Sequence, residues 1–351
     1  MSVSTSVKWV AAGLYYNEPW EAFLLKAVKP YVDIVMQAGI AERFYFERSW
    51  ERGPHIRLCF KGKAHIIENM LKPNMEEHFS YFFEERGSFR VNPVYPDNFP
   101  DHLKWHPNNS LHYLPHSPEN RRYGGPVAYS VCEKNFEASS RIVLQSLYEK
   151  GLRWTYDDAL STANKLHICF AFAIGMDVEE SALFFGQLYE NWARGVFDDR
   201  SEGAAHKGKP PTERILSFDR IYDMQKASMI AFNHSLWESL ENGLNIGEGP
   251  EEEWIQTNIN LNIELGLVQE AGKLKPEAGD IEFGPEAGLS TEKPNLWKIF
   301  ARLVHMTNNR LGILNGDEGY LFYSLNKSLS AQYGKHLPEI GTITRSSKTA
   351  L

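Results

Sequence analysis

The sequence predicts an α+β fold, a mixed sheet with hairpins early in the chain packed by long helices. Three observations carry that expectation. β-rich, aromatic segments cluster before Gly124. After Gly125 the apolar residues recur at three and four over long stretches. A Gly53-Pro54 turn separates two of the early segments closely enough to make them a hairpin.

Trp9 to Tyr16 (WVAAGLYY) reads as the first strand. A helix from about Trp20 to Ala38 follows, with Phe23, Leu24, Val28, Val32 and Val35 at helical spacing and a kink expected at Pro30. Arg43 to Trp50 and Arg52 to Gly62 form the hairpin. Alternation puts Ile56, Leu58 and Phe60 on one face of its second strand, and His55, Arg57 and Cys59 on the other. Phe89 to Tyr95 is expected to add a further strand. Helices are expected over Pro126–Glu149, Tyr156–Gly175, Val178–Val196 and Glu213–Glu241, with a last pair near Leu296–Leu311 and Glu318–Tyr333. Asp199 to Glu213 and Glu270 to Pro294, both rich in Gly, Pro and polar residues, read as loops. The acidic run Glu251–Glu253 suits a helix N-terminus, where the helix dipole favours carboxylates. No repeat is visible, and 351 residues at 42% hydrophobic fit one large domain or two small ones, of which the first, residues 1–351 as a single domain, is the expectation.

Composition narrows the function. Lys and Arg total 37 against 45 Asp and Glu, a net charge of -8, with the cations dispersed, so direct nucleic-acid binding is disfavoured. Three cysteines without a CxxC pair suggest neither a disulfide framework nor a zinc ribbon, and fit a reducing cytoplasm. The N-terminal apolar run is too short for a signal peptide, and nowhere do about 18 apolar residues run together, so no membrane association is expected. GxxxxGK[ST], a strand-linked GxGxxG, HExxH and GxSxG are all absent, so no cofactor or metal is expected. The scattered histidines between His65 and His116 lack a matching carboxylate pattern.

Three constellations could carry chemistry. His55, Arg57 and Cys59 share a strand face; the plain alternative is the wet face of an antiparallel sheet. In Ser117–Gly125 (SPENRRYGG), Glu119 and Arg122 stand three apart beside Tyr123 and a Gly-Gly bend, against the alternative of a surface ion pair worth under about 1 kcal/mol. The glycines allow positive φ or close backbone approach. In Ala301–Gly312 (ARLVHMTNNRLG), His305 and Asn309 share a helix face, with Asn308 and Arg310 flanking. There the alternative is a His and an Asn that satisfy each other or a helix end.

Taken in order, WVAAGLYY, FYFERSWERGPHIRLCF, SPENRRYGGPVAYSVCEKNFEASS and LVHMTNNRLGI resemble the thiopeptide-type bacteriocin biosynthesis domain, which is also the C-terminal glutamate-elimination domain of class I lantibiotic dehydratases. The resemblance spans roughly Trp9 to Tyr333. It implies an enzyme, a lyase that expels glutamate from glutamylated Ser or Thr of a precursor peptide to leave dehydroalanine or dehydrobutyrine. The family's elimination residues fall on Arg57, Glu119, Arg122 and His305, and His55, Cys59, Tyr123, Asn309 and Arg310 are expected to border the substrate. β-Elimination fits these types: His305 suits proton transfer near neutrality, and arginine forks suit carboxylates and enolate oxygens. Cys59 departs from the family, which carries a second arginine there; Arg48, Arg52 or Arg121 could substitute, or the substrate could differ. The resemblance further implies a split system, in which a separate glutamyl-tRNA-dependent protein performs the glutamylation. Two rivals stand beside it: a [4+2] cycloaddition enzyme that builds a thiopeptide pyridine, and a non-catalytic peptide-binding subunit.

Overall fold

The computed structural model describes residues 6–116, 120–197, 212–243, 249–275, 281–283 and 293–331. Its first half runs β1 (Val7–Tyr15), α1 (residues 21–37), β2 (Arg43–Ser49), β3 (His55–Lys63), α2 (residues 64–86) and β4 (Ser110–Leu114). The four strands lie in the order β2-β3-β1-β4. The α+β class stands, while the pairings, expected as a mixed set, are antiparallel throughout. The cause is topological: α1 returns the chain so that β2 runs in the same sense as β1, but β3 enters between them from the hairpin. This is the βαββαβ arrangement of ferredoxin-like folds.

Both helices of this half carry a π turn just before a proline. α1 consists of Glu21–Phe23, the π turn Leu24–Val28 and Lys29–Gln37; α2 of Ala64–Ile66, the π turn Ile67–Leu71 and Lys72–Arg86. A proline clashes with the carbonyl four residues back. Widening the preceding turn, with Lys29 N–H donating to Leu24 O and Lys72 N–H to Ile67 O, relieves the crowding ahead of Pro30 and Pro73. The disturbance expected at Pro30 takes that form.

The strand expected at Phe89–Tyr95 is not formed: the segment is irregular, and Phe89 and Val94 are 84% and 96% exposed. Pro93 and Pro96 remove the donors a ladder needs. The edge strand is Ser110–Leu114, which sequence reading missed.

One sheet face, with Ile56, Leu58, Phe60, Phe44 and Leu14, packs on Phe23, Val28, Tyr31 and Phe79 of α1 and α2. The opposite face is covered as well. There α3 (Pro126–Lys150) sets Phe136 5.5 Å from Tyr45, and Glu133 accepts from Trp9 Nε1 and Lys61 Nζ at 2.9 and 2.6 Å. The face is therefore dry at His55 and Cys59, 1% and 0% exposed, while Arg57 between them is half-buried.

The remaining helices are α4 (Tyr156–Ala173), α5 (Val178–Ala193), α6 (Thr212–Glu241), α7 (Pro250–Glu270), α8 (Lys293–Leu311) and α9 (Asn315–Ala331). Thr155 and Asp158 make a capping box for α4, and Asp177 caps α5. Glu251–Glu253 do occupy the first turn of a helix, α7, where the dipole reading placed them. The end of α8 closes the free edge of β2. Asn309 accepts from Arg48 N–H and donates to Arg48 O, both at 2.9 Å, and Arg310 Nε donates to Phe46 O at 2.9 Å. Ser140 Oγ accepts from Phe46 N–H at 3.1 Å. Side chains thus supply the partners that an edge strand lacks.

Candidate functional site

β3 positions Arg57 between Gly13 of β1 and Glu47 of β2. Its Nη2 donates to Pro115 O at 2.8 Å. Burial works against its charge, but the Cys59 thiol and the Glu47 carboxylate outweigh it, so the pKa stands above the ordinary value. Cys59, two residues on, lies opposite Tyr45 in register. Burial first, then Glu47, pushes its thiol up to about 12, so it is neutral. Arg310 is fully buried over the Phe136 ring at 5.7 Å; Phe46 O and Met306 O accept from it, while its Nη2 meets no acceptor among the described residues. Tyr123 is buried against Tyr129 and Phe136, at 5.8 and 5.1 Å. The structure thus gathers Arg57, Cys59, Tyr123 and Arg310 between the sheet and α3.

His55, on the same face, donates from Nδ1 to Gly53 O at 3.0 Å and packs on Tyr15 at 4.5 Å. Burial lowers its pKa to about 4, so it is a neutral ring. Tyr15 also meets His106 at 4.7 Å, and His106 meets His112 at 4.0 Å. Among the described residues no three His, Cys, Asp or Glu could hold a metal ion.

The Gly-Gly bend behaves as its sequence requires. Gly124 and Gly125 have φ of +81° and +98°, and a Cβ on Gly124 would meet Leu274 and Ile299 at 2.8 and 2.9 Å. Arg122 is half-buried beside it. Glu119 lies outside the described residues.

His305 belongs to a second group. It stacks on Phe197 at 5.2 Å and donates from Nδ1 to the Glu318 carboxylate, 2.9 and 3.0 Å from its two oxygens. Glu318 is 1% exposed and also accepts from Asn308 Nδ2 at 2.9 Å; Asn308 Oδ1 accepts from His167 Nε2 at 2.7 Å. The amide of Asn308 is oriented by both neighbours, so His167, Asn308, Glu318 and His305 form one buried chain across α4, α8 and α9. Burial lowers the pKa of His167 to about 4, keeping that end neutral. The carboxylate holds the His305 ring by its Nδ1–H, as the third group of a catalytic triad orients its histidine. A cavity of about 80 Å³ is lined by His305, Glu318, Asn309, Arg48, Trp50 and Phe197, with neither Arg57 nor Arg122 in its wall.

Of the four residues expected to act together, His305 therefore has its own cavity, and Arg57 lies on the opposite sheet face from Arg48. Sequence reading missed Glu318 and His167. Glu318 had a signal: Gly312, with φ of +80°, ends α8, and only three residues separate the helices, so His305 near the end of one faces Glu318 at the start of the next. His167 had none, since its helix carries no distinctive motif.

Comparison with known proteins agrees with this fold. The family described as lantibiotic biosynthesis dehydratase, C-terminal, matches residues 9–329. No curated protein matches the sequence significantly. Among solved structures, the pyridine synthase TbtD from thiomuracin biosynthesis superimposes with a TM-score of 0.67 at 17% identity, covering 93% of this chain and 99% of that one. TsrL gives 0.64 at 15%, covering 93% and 96%. The tRNA-dependent lantibiotic dehydratase MibB from Microbispora sp. 107891 gives 0.57 at 15%, covering 94% of this chain and 28% of MibB.

Proposed function

Since the chain belongs to the lantibiotic biosynthesis dehydratase C-terminal family, we propose that it eliminates glutamate from glutamylated Ser or Thr of a precursor peptide. The observation that carries this reading is the His305–Glu318 pair set beside Arg48 in one cavity. The step requires a base to take the Cα proton. The C–H electrons form the Cα=Cβ bond, the Cβ–O bond breaks, and glutamate departs as a carboxylate. His305, held through Nδ1 by Glu318, is the group proposed to take this proton, in a cavity where buried charge acts strongly. Arg57 and Arg122, expected as the cations for the glutamyl adduct, stand outside the His305 cavity, so in this reading they meet a part of the peptide away from the reacting residue. In this reading a glutamyl-tRNA-dependent protein, separate from this chain, supplies the glutamylated peptide.

A second reading, joining of two dehydroalanines into a pyridine ring, is favoured by one feature: a neutral, fully buried Cys59 stands where the resemblance leads one to expect an arginine. A purely binding subunit would have no use for the buried carboxylate behind His305. Incubating a peptide that carries a glutamyl-Ser ester with the protein separates the readings: release of glutamate supports elimination, while turnover of a bis-dehydroalanine peptide alone supports ring formation.

A further inference from the structure

The His305 cavity is one end of a longer groove. A second chamber of about 480 Å³, within the range of ligand clefts, shares Glu18, Arg48, Gly312 and Leu314 with it. Its lining is mostly apolar, with Trp20, Leu25, Trp154 and Leu311, while Glu18, Glu21 and Thr155 are its polar members besides Arg48. Arg48 stands at the junction. It is 7% exposed; Nη1 donates to Glu21 Oε1 at 2.9 Å, Nε to Arg310 O at 3.1 Å, and Nη2 meets no acceptor among the described residues. The fold makes room for this guanidinium, because a Cβ on Gly312 would come within 2.5 Å of Arg48 Cζ.

A buried donor without an acceptor is costly unless a ligand supplies one. Glu21 already balances the Arg48 charge, so the remaining N–H is matched by a neutral acceptor of the peptide-carbonyl kind rather than by a second carboxylate. We infer that this groove binds the substrate peptide next to its reacting residue: Arg48 Nη2 donates to a backbone carbonyl, and the chamber takes the apolar side chain that follows. The inference rests on the proposed function only in taking a peptide as the substrate. It makes Arg48 and the chamber walls determinants of specificity, distinct from the proton-transfer group.

The test uses the full chain and two fluorescein-labelled octapeptides with a central dehydroalanine, followed by Leu in one and Gly in the other, with affinity read by anisotropy. Burial of a leucine side chain predicts roughly tenfold or more tighter binding of the Leu peptide. Ala22→Trp, at an exposed position on the chamber wall, should abolish that preference; Arg48→Met and Arg48→Lys should weaken both peptides. Equal affinity for the two peptides, a preference that survives Ala22→Trp, or no binding of either overturns the inference. If Arg48→Met fails to fold, the Ala22→Trp comparison decides alone. A chain that prefers the Leu peptide yet releases no glutamate from an ester sinks the elimination reading only; glutamate release without the preference sinks the groove only.

Discussion

Cys59 shows how far environment overrides residue type. A thiol beside an arginine suggests a reactive thiolate, yet complete burial holds it neutral. Cys132 and Cys169 are buried too, with pKa values pushed up by burial. The native protein should therefore resist alkylation by iodoacetamide at pH 8 and react at all three thiols once unfolded; rapid labelling of Cys59 in the folded state would contradict its packing. Cys59→Ser should stay folded and active. Cys59→Arg should instead destabilise the protein, because a third guanidinium would enter a buried site already beside Arg57 and Arg310. Glu318 makes the opposite case, a residue outside every motif that the structure places behind His305. Glu318→Gln should lower turnover by roughly 100-fold or more, with circular dichroism unchanged. Turnover at the wild-type rate would reduce Glu318 to a packing role.

Among the elements, the α8–β2 junction joins the two halves of the molecule. Asn309→Ala removes both hydrogen bonds to Arg48 at a strand edge, and should cost about 1–3 kcal/mol in urea unfolding; a smaller loss would mean that water replaces them. The buried histidines give the elements a pH dependence. His167 and His55 have folded pKa values of about 4 against 6.5 in the unfolded chain. Their neutral forms suit the fold, so this stability is fully present above about pH 6.5 and is lost as the pH falls toward 4. His167→Gln should make the loss of stability between pH 7.5 and 5 smaller by on the order of 1–2 kcal/mol. At this scale the long helices and the hairpin were legible because their apolar periods are strong. The fourth strand was not: SLHYL is short, and Phe89–Tyr95 offers more β-formers than it. The motifs showed which residue types gather on β3 and α8, but not that the sheet face is dry at His55 and Cys59 or that Asn309 and Arg310 close an edge. Those facts depend on which helix lies over which strand, and local pattern carries no record of it.

At the level of the whole molecule, the sheet lies between two helical layers, and the edge sealed by α8 sets His305 at the mouth of a groove that leads past Arg48 to a mostly apolar chamber. Among the described residues no helix is long and apolar enough to cross a membrane. This arrangement suits an enzyme that receives a flexible chain, holds its backbone and moves one proton. The most direct test of the central claim is mass spectrometry of a peptide bearing a glutamyl-Ser ester after incubation with the wild-type protein and with His305→Ala. The wild type should convert the peptide to dehydroalanine with free glutamate, and the variant should leave the ester in place. An ester left intact by the wild type, or eliminated equally by both proteins, would contradict the claim.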